Sequence, residues 1–303
     1  MKRFFFFALA LAVCTGLYAL DWPTDTQNFL RLFGQCIGEK TFEQGLTFEN
    51  TSTVRAADDG ILLIALDRRY GTGAFPSTLG NALIFLHDDG LQTVYGNLDA
   101  NAVFLSRVTT ESNAVIGRTG NSGWGKPNDL IFQVSDSQKK VYINPLLLLP
   151  SVNDKIAPQI QNVVLINEQN TAFQMNGQKT VRQGSYELYA DISDTASQGG
   201  LSFSPFRITI FVNGTNIRTI PFETIAEKDG DSYLGNTAFT DTLLYRRKNE
   251  LYLGKIILNR GKSDILITAR DITGNEKSER FTIQVDERIR ENVSDYIFNS
   301  PAK

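Results

Sequence analysis

Ile116-Gly117-Arg118-Thr119-Gly120-Asn121-Ser122-Gly123, followed shortly by Asp129-Leu130-Ile131-Phe132-Gln133-Val134, decides how this chain folds. The first part gathers Gly, Asn and Ser into a turn, and the second is an apolar run of strand length. The glycines suggest a phosphate loop, but no Lys-Ser/Thr follows them and the loop leads into a strand instead of a helix. A glycine-rich turn feeding a strand belongs to a β domain.

Working outward, the neighbouring segments have the same character. Ile61 to Leu66 and Ala82 to Leu86 are short runs rich in β-favouring residues, punctuated by Asp58-Asp59-Gly60 and Asp88-Asp89-Gly90. No stretch between them has the length and period of a crossover helix. Before them, Phe29, Leu32, Phe33 and Cys36 fall at helical spacing, which predicts a short amphipathic helix over residues 25–36. Its place ahead of the β domain raises the idea that it covers a groove there.

Residues 151–158 follow Pro150, end on Pro158, are otherwise polar and read as a linker. Beyond them the period becomes two: Tyr186, Leu188, Ala190 and Ile192, then Ile208, Ile210 and Val212, then Ile265, Ile267 and Ala269, then Phe281, Ile283 and Val285. Asn213-Gly214 and Thr273-Gly274-Asn275 supply turns. This predicts an antiparallel sandwich over 159–287, similar to immunoglobulin-like domains. The run Ala269 to Asn275 followed by Phe281-Thr282-Ile283 resembles the closing hairpin of bacterial modules of that kind. Residues 288–303 read as a polar tail.

The amino terminus reads as an export signal over residues 1–19. Lys2 and Arg3 precede the apolar run Phe4 to Val13, and Thr15, Gly16 and Ala19 are small. Cleavage after Ala19, a lipoprotein box at Leu11-Ala12-Val13-Cys14 and an uncleaved anchor all remain open, the last being short for a bilayer span. Each places the protein in the periplasm or cell envelope, with the membrane touched only through that terminus. A net charge of −3 over 303 residues gives no basic footprint for nucleic acid. Cleavage would leave Cys36 as the only thiol, so no internal disulfide is expected and Cys36 reads as structural. His87 is the only histidine and sits in a strand pattern, where a satisfied structural imidazole is expected.

Residues 41–149 resemble the LytM-type (lysostaphin-like) zinc endopeptidase domain from end to end. The glycine turn and Asp129-Leu130-Ile131-Phe132-Gln133-Val134 match that family's loop and its His-Leu-His-Phe-Glu-Val strand. Gly80-Asn81, Leu83, His87, Gly90, Thr93, Tyr95 and Leu98 match the hairpin that ends Tyr-x-His-Leu. Val54, Ala56 and Asp59-Gly60 match the strand and turn before it. Phe42-Glu43-Gln44-Gly45-Leu46-Thr47 stands at His-x-Gly-x-Asp, and Ile143-Asn144-Pro145-Leu146 at Val-Asn-Pro-Leu.

The resemblance implies a zinc held by two imidazoles and a carboxylate, with an open position for water. Carried over residue by residue, it fails. Glu43 stands at the first ligand histidine, Thr47 at the aspartate and Ile131 at the second ligand histidine. Asn97 and Asp129 stand at the two auxiliary histidines. Isoleucine has no lone pair and threonine replaces a carboxylate poorly. Zinc is therefore not expected, nor another cofactor. A carboxylate pair from Glu43, Asp129 and Asp99 would allow glycoside chemistry, although nothing in the spacing favours it.

The fold class read from the sequence is all-β: a LytM-like β domain with a short amino-terminal helix over 20–150, then an immunoglobulin-like β-sandwich. The function expected is non-catalytic, binding peptidoglycan or regulating a cell-wall amidase, as the resemblance implies for relatives that lost their zinc. The alternative is a structural assembly protein with no murein contact, and a residual murein endopeptidase comes last. The groove positions left for binding are Glu43, Thr47, Tyr95, Asn97, Trp124, Asp129 and Ile131, with Trp124 on the loop that borders the groove in the resembled family.

Overall fold

Short apolar runs closed by Gly- and Asn-bearing turns pair as strands throughout the computed structural model, which describes residues 19–38, 41–68, 77–100, 108–177, 179–195, 202–248 and 250–287. The export signal, apart from Ala19, and the tail 288–303 lie outside the described residues. In the first half the strands are β1 (Phe29–Arg31), β2 (Cys36–Ile37), β3 (Thr41–Phe42) and β4 (Leu46–Phe48). Next come β5 (Thr53–Arg55), β6 (Gly60–Leu66), β7 (Ala82–Leu86) and β8 (Leu91–Gly96). They are followed by β9 (Thr109–Thr110), β10 (Val115–Arg118), β11 (Leu130–Asp136) and β12 (Val141–Ile143).

The sheet runs β12-β11-β8-β7-β6-β9, with β4 also paired to β11 and β1 paired to β4. Alternation along β11 buries Leu130, Phe132 and Val134 on one face, where Phe48, Leu46 and Tyr95 join them in one core. Burying each such side chain contributes about 1.5–3 kcal/mol. The intervening residues, Ile131 and Gln133, therefore face the other way.

The helix expected over 25–36 is not there. Phe29–Arg31 is a strand, with Phe29 opposite Phe48 and Arg31 opposite Thr47. Gly34 interrupts any helix with φ +76°, and a Cβ on it would lie 2.5 Å from the Phe222 ring. The four apolar residues go to different places: Phe29 and Leu32 pack on the first core, Phe33 on the second, and Cys36 pairs with Phe42. An open edge on β4 outcompeted a marginal helix too short to stand alone.

The second half holds β13 (Gln159–Asn167), β14 (Ala172–Gln174), β15 (Thr180–Arg182) and β16 (Gly184–Ser193). β17 (Arg207–Val212), β18 (Thr215–Pro221), β19 (Thr224–Lys228) and β20 (Asp231–Leu234) come next. A single helical turn α1 (Asp241–Leu244) precedes β21 (Leu251–Leu258), β22 (Gly261–Arg270) and β23 (Glu276–Asp286). Sheets β14-β13-β16-β21 and β15-β23-β22-β17-β18 share one core, built from residues such as Leu165, Leu188, Ile208 and Ile267. The turn Asp271–Asn275 closes the β22–β23 hairpin, with Asp271 Oδ1 accepting the N–H groups of Gly274 and Asn275 at 2.6 and 2.8 Å.

Residues 151–158 carry no regular structure, yet the halves are joined elsewhere. β19 pairs with β12, setting Tyr142 opposite Ile225, and β20 extends the same sheet to make it ten-stranded. Asn144 fastens the seam. Its amide donates to Phe222 O at 2.9 Å, its N–H to Glu223 O at 2.9 Å, and its Oδ1 accepts from Leu146 N at 3.1 Å. Phe33 and Phe42, from the first half, are buried in the second core.

Candidate functional site

Thr47 sits opposite Arg31 on one side and opposite Ile131 on the other. Directly opposed residues project to one face, so Arg31, Thr47 and Ile131 form a row across β1, β4 and β11. Glu43 lies beside this row, with its Oε2 3.8 Å from Arg31 Nη1. The row floors a cavity of about 520 Å³, whose walls include Gln44, Gln133, Leu79 and Trp124. Burial pushes the Glu43 carboxyl above its usual range. The charge of Arg31 and hydrogen bonds from Gly45, Arg31 and Thr47 pull against that shift.

The glycine-rich loop is held by close backbone contact. A Cβ on Gly80, which has φ +66°, would stand 2.3 Å from Gly123 N, so the two segments touch only because both residues are glycine. Trp124 N donates to Thr78 O at 2.9 Å, and the indole is left 76% exposed at the cavity.

Three of the positions expected at the groove turn inward. Asn97 is fully buried with φ 63°. Its Nδ2 donates to Lys126 O and Asp129 O, both at 2.9 Å, and its Oδ1 accepts from Ser122 N and Gly123 N at 3.0 and 2.9 Å. Where the resembled family has a proton-handling histidine, this chain has a clamp on the loop. Asp129 is buried too, its Oδ2 accepting Lys126 N at 2.9 Å, and burial is the main cause of its raised pKa. Tyr95 lies in the core against Phe85 and Phe132, with its hydroxyl accepting Ala57 N at 2.7 Å. Complete burial pushes that phenol up to about 12. None of the three lines the cavity, so Glu43 and Asp129 do not face each other across it. Glu43, Thr47, Trp124 and Ile131 do line it.

His87 is buried between β7 and β8, its ring nitrogens 2.7 Å from Asp59 O and 2.8 Å from Thr93 Oγ1. Nδ1 thereby holds the Asp59-Gly60 turn and Nε2 ties the ring to β8. Cys36 is half-buried on β2.

The donor set at the row does not fit a zinc ion. Tetrahedral zinc needs imidazole, thiolate or carboxylate donors. The row offers a guanidinium, a hydroxyl and an alkyl chain, and the carboxylate beside it already faces a cation. Among the described residues, Asp154, Asp194 and Asp271 do converge, with ligand oxygens within 4.8 Å of one another, but around the second core and its linker. Sequence reasoning missed Arg31 altogether. It lies before the resembled segment, and the strand that delivers it was expected to be a helix.

Residues 41–145 match the family described as peptidase family M23. A second family, which carries no description, matches residues 157–286. An uncharacterized protein of Treponema pallidum (strain Nichols) is 41% identical over 144 residues, covering 44% of this chain and 98% of that protein. Among solved structures, the SpoIIQ–SpoIIIAH pore-forming complex gives 21% identity and a TM-score of 0.36, over 45% of this chain and 94% of that one. The catalytic domain of lysostaphin from Staphylococcus simulans gives 19% identity and a TM-score of 0.32, over 40% and 90%.

Proposed function

This chain carries a peptidase family M23 domain at residues 41–145 and belongs to one family with the Treponema pallidum protein, and from that premise we propose that it is a non-catalytic cell-envelope protein. Its groove binds peptidoglycan or a cell-wall hydrolase without cutting, in the manner of an amidase activator, and it works without zinc. The observation that carries this reading is the row Arg31-Thr47-Ile131, which keeps a cavity of about 520 Å³ while lacking the donors that would hold a metal there. The inward clamp at Asn97 supports it as well. A side chain spending its donors and acceptor on backbone groups is unavailable for proton transfer.

Export to the periplasm or envelope follows from the signal-like amino terminus and is part of the proposal. A structural reading without murein contact draws on a different feature. β6 is an uncharged run whose Ile61, Leu63 and Ile64 are all close to half exposed, which suits packing against another protein.

Incubating purified peptidoglycan with the protein, alone and with a periplasmic extract, tests the choice. Binding to the sacculi with no fragments released alone, but more amide cleavage in the presence of extract, is expected. Peptide-bridge cleavage by the protein alone, abolished by a chelator, would overturn the reading of Glu43, Thr47 and Ile131. Neither binding nor stimulation would leave the structural reading.

A further inference from the structure

Among the described residues lining the groove, Arg31 is the one cation and Glu43 the one acid. They meet at 3.8 Å, with the Arg31 side chain 40% exposed and the Glu43 side chain only 6%. A guanidinium has five donors in a planar fork, suited to grip a carboxylate with two parallel bonds. Arg31 lines the cavity with its side chain partly exposed, so part of that fork is open to a ligand there. Arg31 is also held in place before any ligand arrives. Its strand is pinned by pairing to β4 and by Phe29, whose ring lies 5.4 Å from Phe48 and 6.2 Å from Trp22. An exposed indole at Trp124 and the amides of Gln44 and Gln133 complete a surface able to hold an extended polar chain.

We propose that Arg31 is the carboxylate anchor of the groove, so that the site selects peptides bearing free acidic groups, with Glu43 as the resting partner of the guanidinium. This rests on the reading that the groove binds and does not cut, and it adds the chemistry of what is bound. A ligand carboxylate takes the exposed side of the fork, and the resting pair with Glu43 weakens as it does so. Glu43 therefore opposes binding, and Arg31 drives it.

Calorimetric titration of the full chain with muropeptides released from purified peptidoglycan tests this, alongside the same muropeptides with their carboxylates converted to amides. Wild type is expected to bind the native set, and amidation or Arg31→Gln to weaken binding about tenfold or more, the value of one charge-assisted hydrogen bond. The two changes made together should cost no more than either alone. Glu43→Gln, which leaves Arg31 in place, should bind the native set more tightly. Equal binding by Arg31→Gln, with an unchanged circular dichroism spectrum, would overturn the proposal and leave peptidoglycan binding standing. So would equal binding of the native and amidated sets by wild type. A wild type that ignores muropeptides but binds a glutamate-rich peptide through Arg31 would remove the murein reading and keep the anchor. Binding of neither probe removes the anchor.

Discussion

Asn97 ties the glycine-rich loop together from a position where the resembled family carries a histidine. Two donor contacts at 2.9 Å and two accepted ones near 3.0 Å tie three backbone segments into one buried knot. Asn97→Ala leaves those backbone groups without partners and puts an alanine at φ 63°. It should cost about 2–4 kcal/mol in urea denaturation. Asn97→His restores the residue type of the resembled family but not these contacts, so it should destabilise similarly and recover no hydrolysis of peptidoglycan. Asp194 makes a separate prediction. Burial, with Asp271 and Asp154 adding like charge, pushes its carboxyl up to about 7, against about 3.9 in an unfolded chain. The raised value means that the fold favours the protonated form. Its contribution is full below about pH 4 and is lost as pH climbs through 7. The melting temperature should therefore fall between pH 5 and 8, and Asp194→Asn should flatten that fall. A slope unchanged in the variant would show that Asp194 is not its source.

Among the elements, β1 has the largest consequence for its size. It spans Phe29–Arg31, yet it supplies an edge to β4, an aromatic ring to the first core and the only cation among the described residues of the groove. Phe29→Ala removes ring contacts with both Trp22 and Phe48. For a half-buried phenylalanine that should cost about 2 kcal/mol. Amide exchange at Arg31 and Thr47 should accelerate, because the pairing of β1 to β4 loosens first. Faster exchange confined to the second half would contradict this account. The glycine loop shows the opposite case of an element readable in advance. Its backbone crosses that of Gly80 too closely for any side chain, so its composition follows from its geometry.

At the scale of the whole molecule, the two halves share a sheet, and the first half lends core residues to the second. β19 and β20 extend the first sheet through β12, while Phe33 and Phe42 from the first half lie in the second core. Gln44 at the groove also donates to Glu227 of β19 at 2.9 Å. Such a seam cannot open without exposing strand edges and apolar rings. The full chain should accordingly unfold in one calorimetric transition with equal van't Hoff and calorimetric enthalpies. Two resolved peaks would mean that the β12–β19 seam is weaker than its pairing suggests. Ile225→Asp places a charge in the core beside Tyr142 and should split the transition or lower its midpoint by several degrees.

The all-β class and the strands Gly60–Leu66, Ala82–Leu86 and Leu130–Asp136 were legible in the sequence alone. Each depends on local composition, period or residue type, which neighbours along the chain determine. Tertiary structure decided the rest. It made residues 29–31 a strand, because an open edge on β4 was available to it. It brought Arg31 to Glu43 and Thr47, turned Tyr95, Asn97 and Asp129 away from the cavity, and ran one sheet through both halves. Those outcomes depend on which distant edges and faces meet, and hydrogen-bond pairing between remote segments leaves no period in the sequence to read.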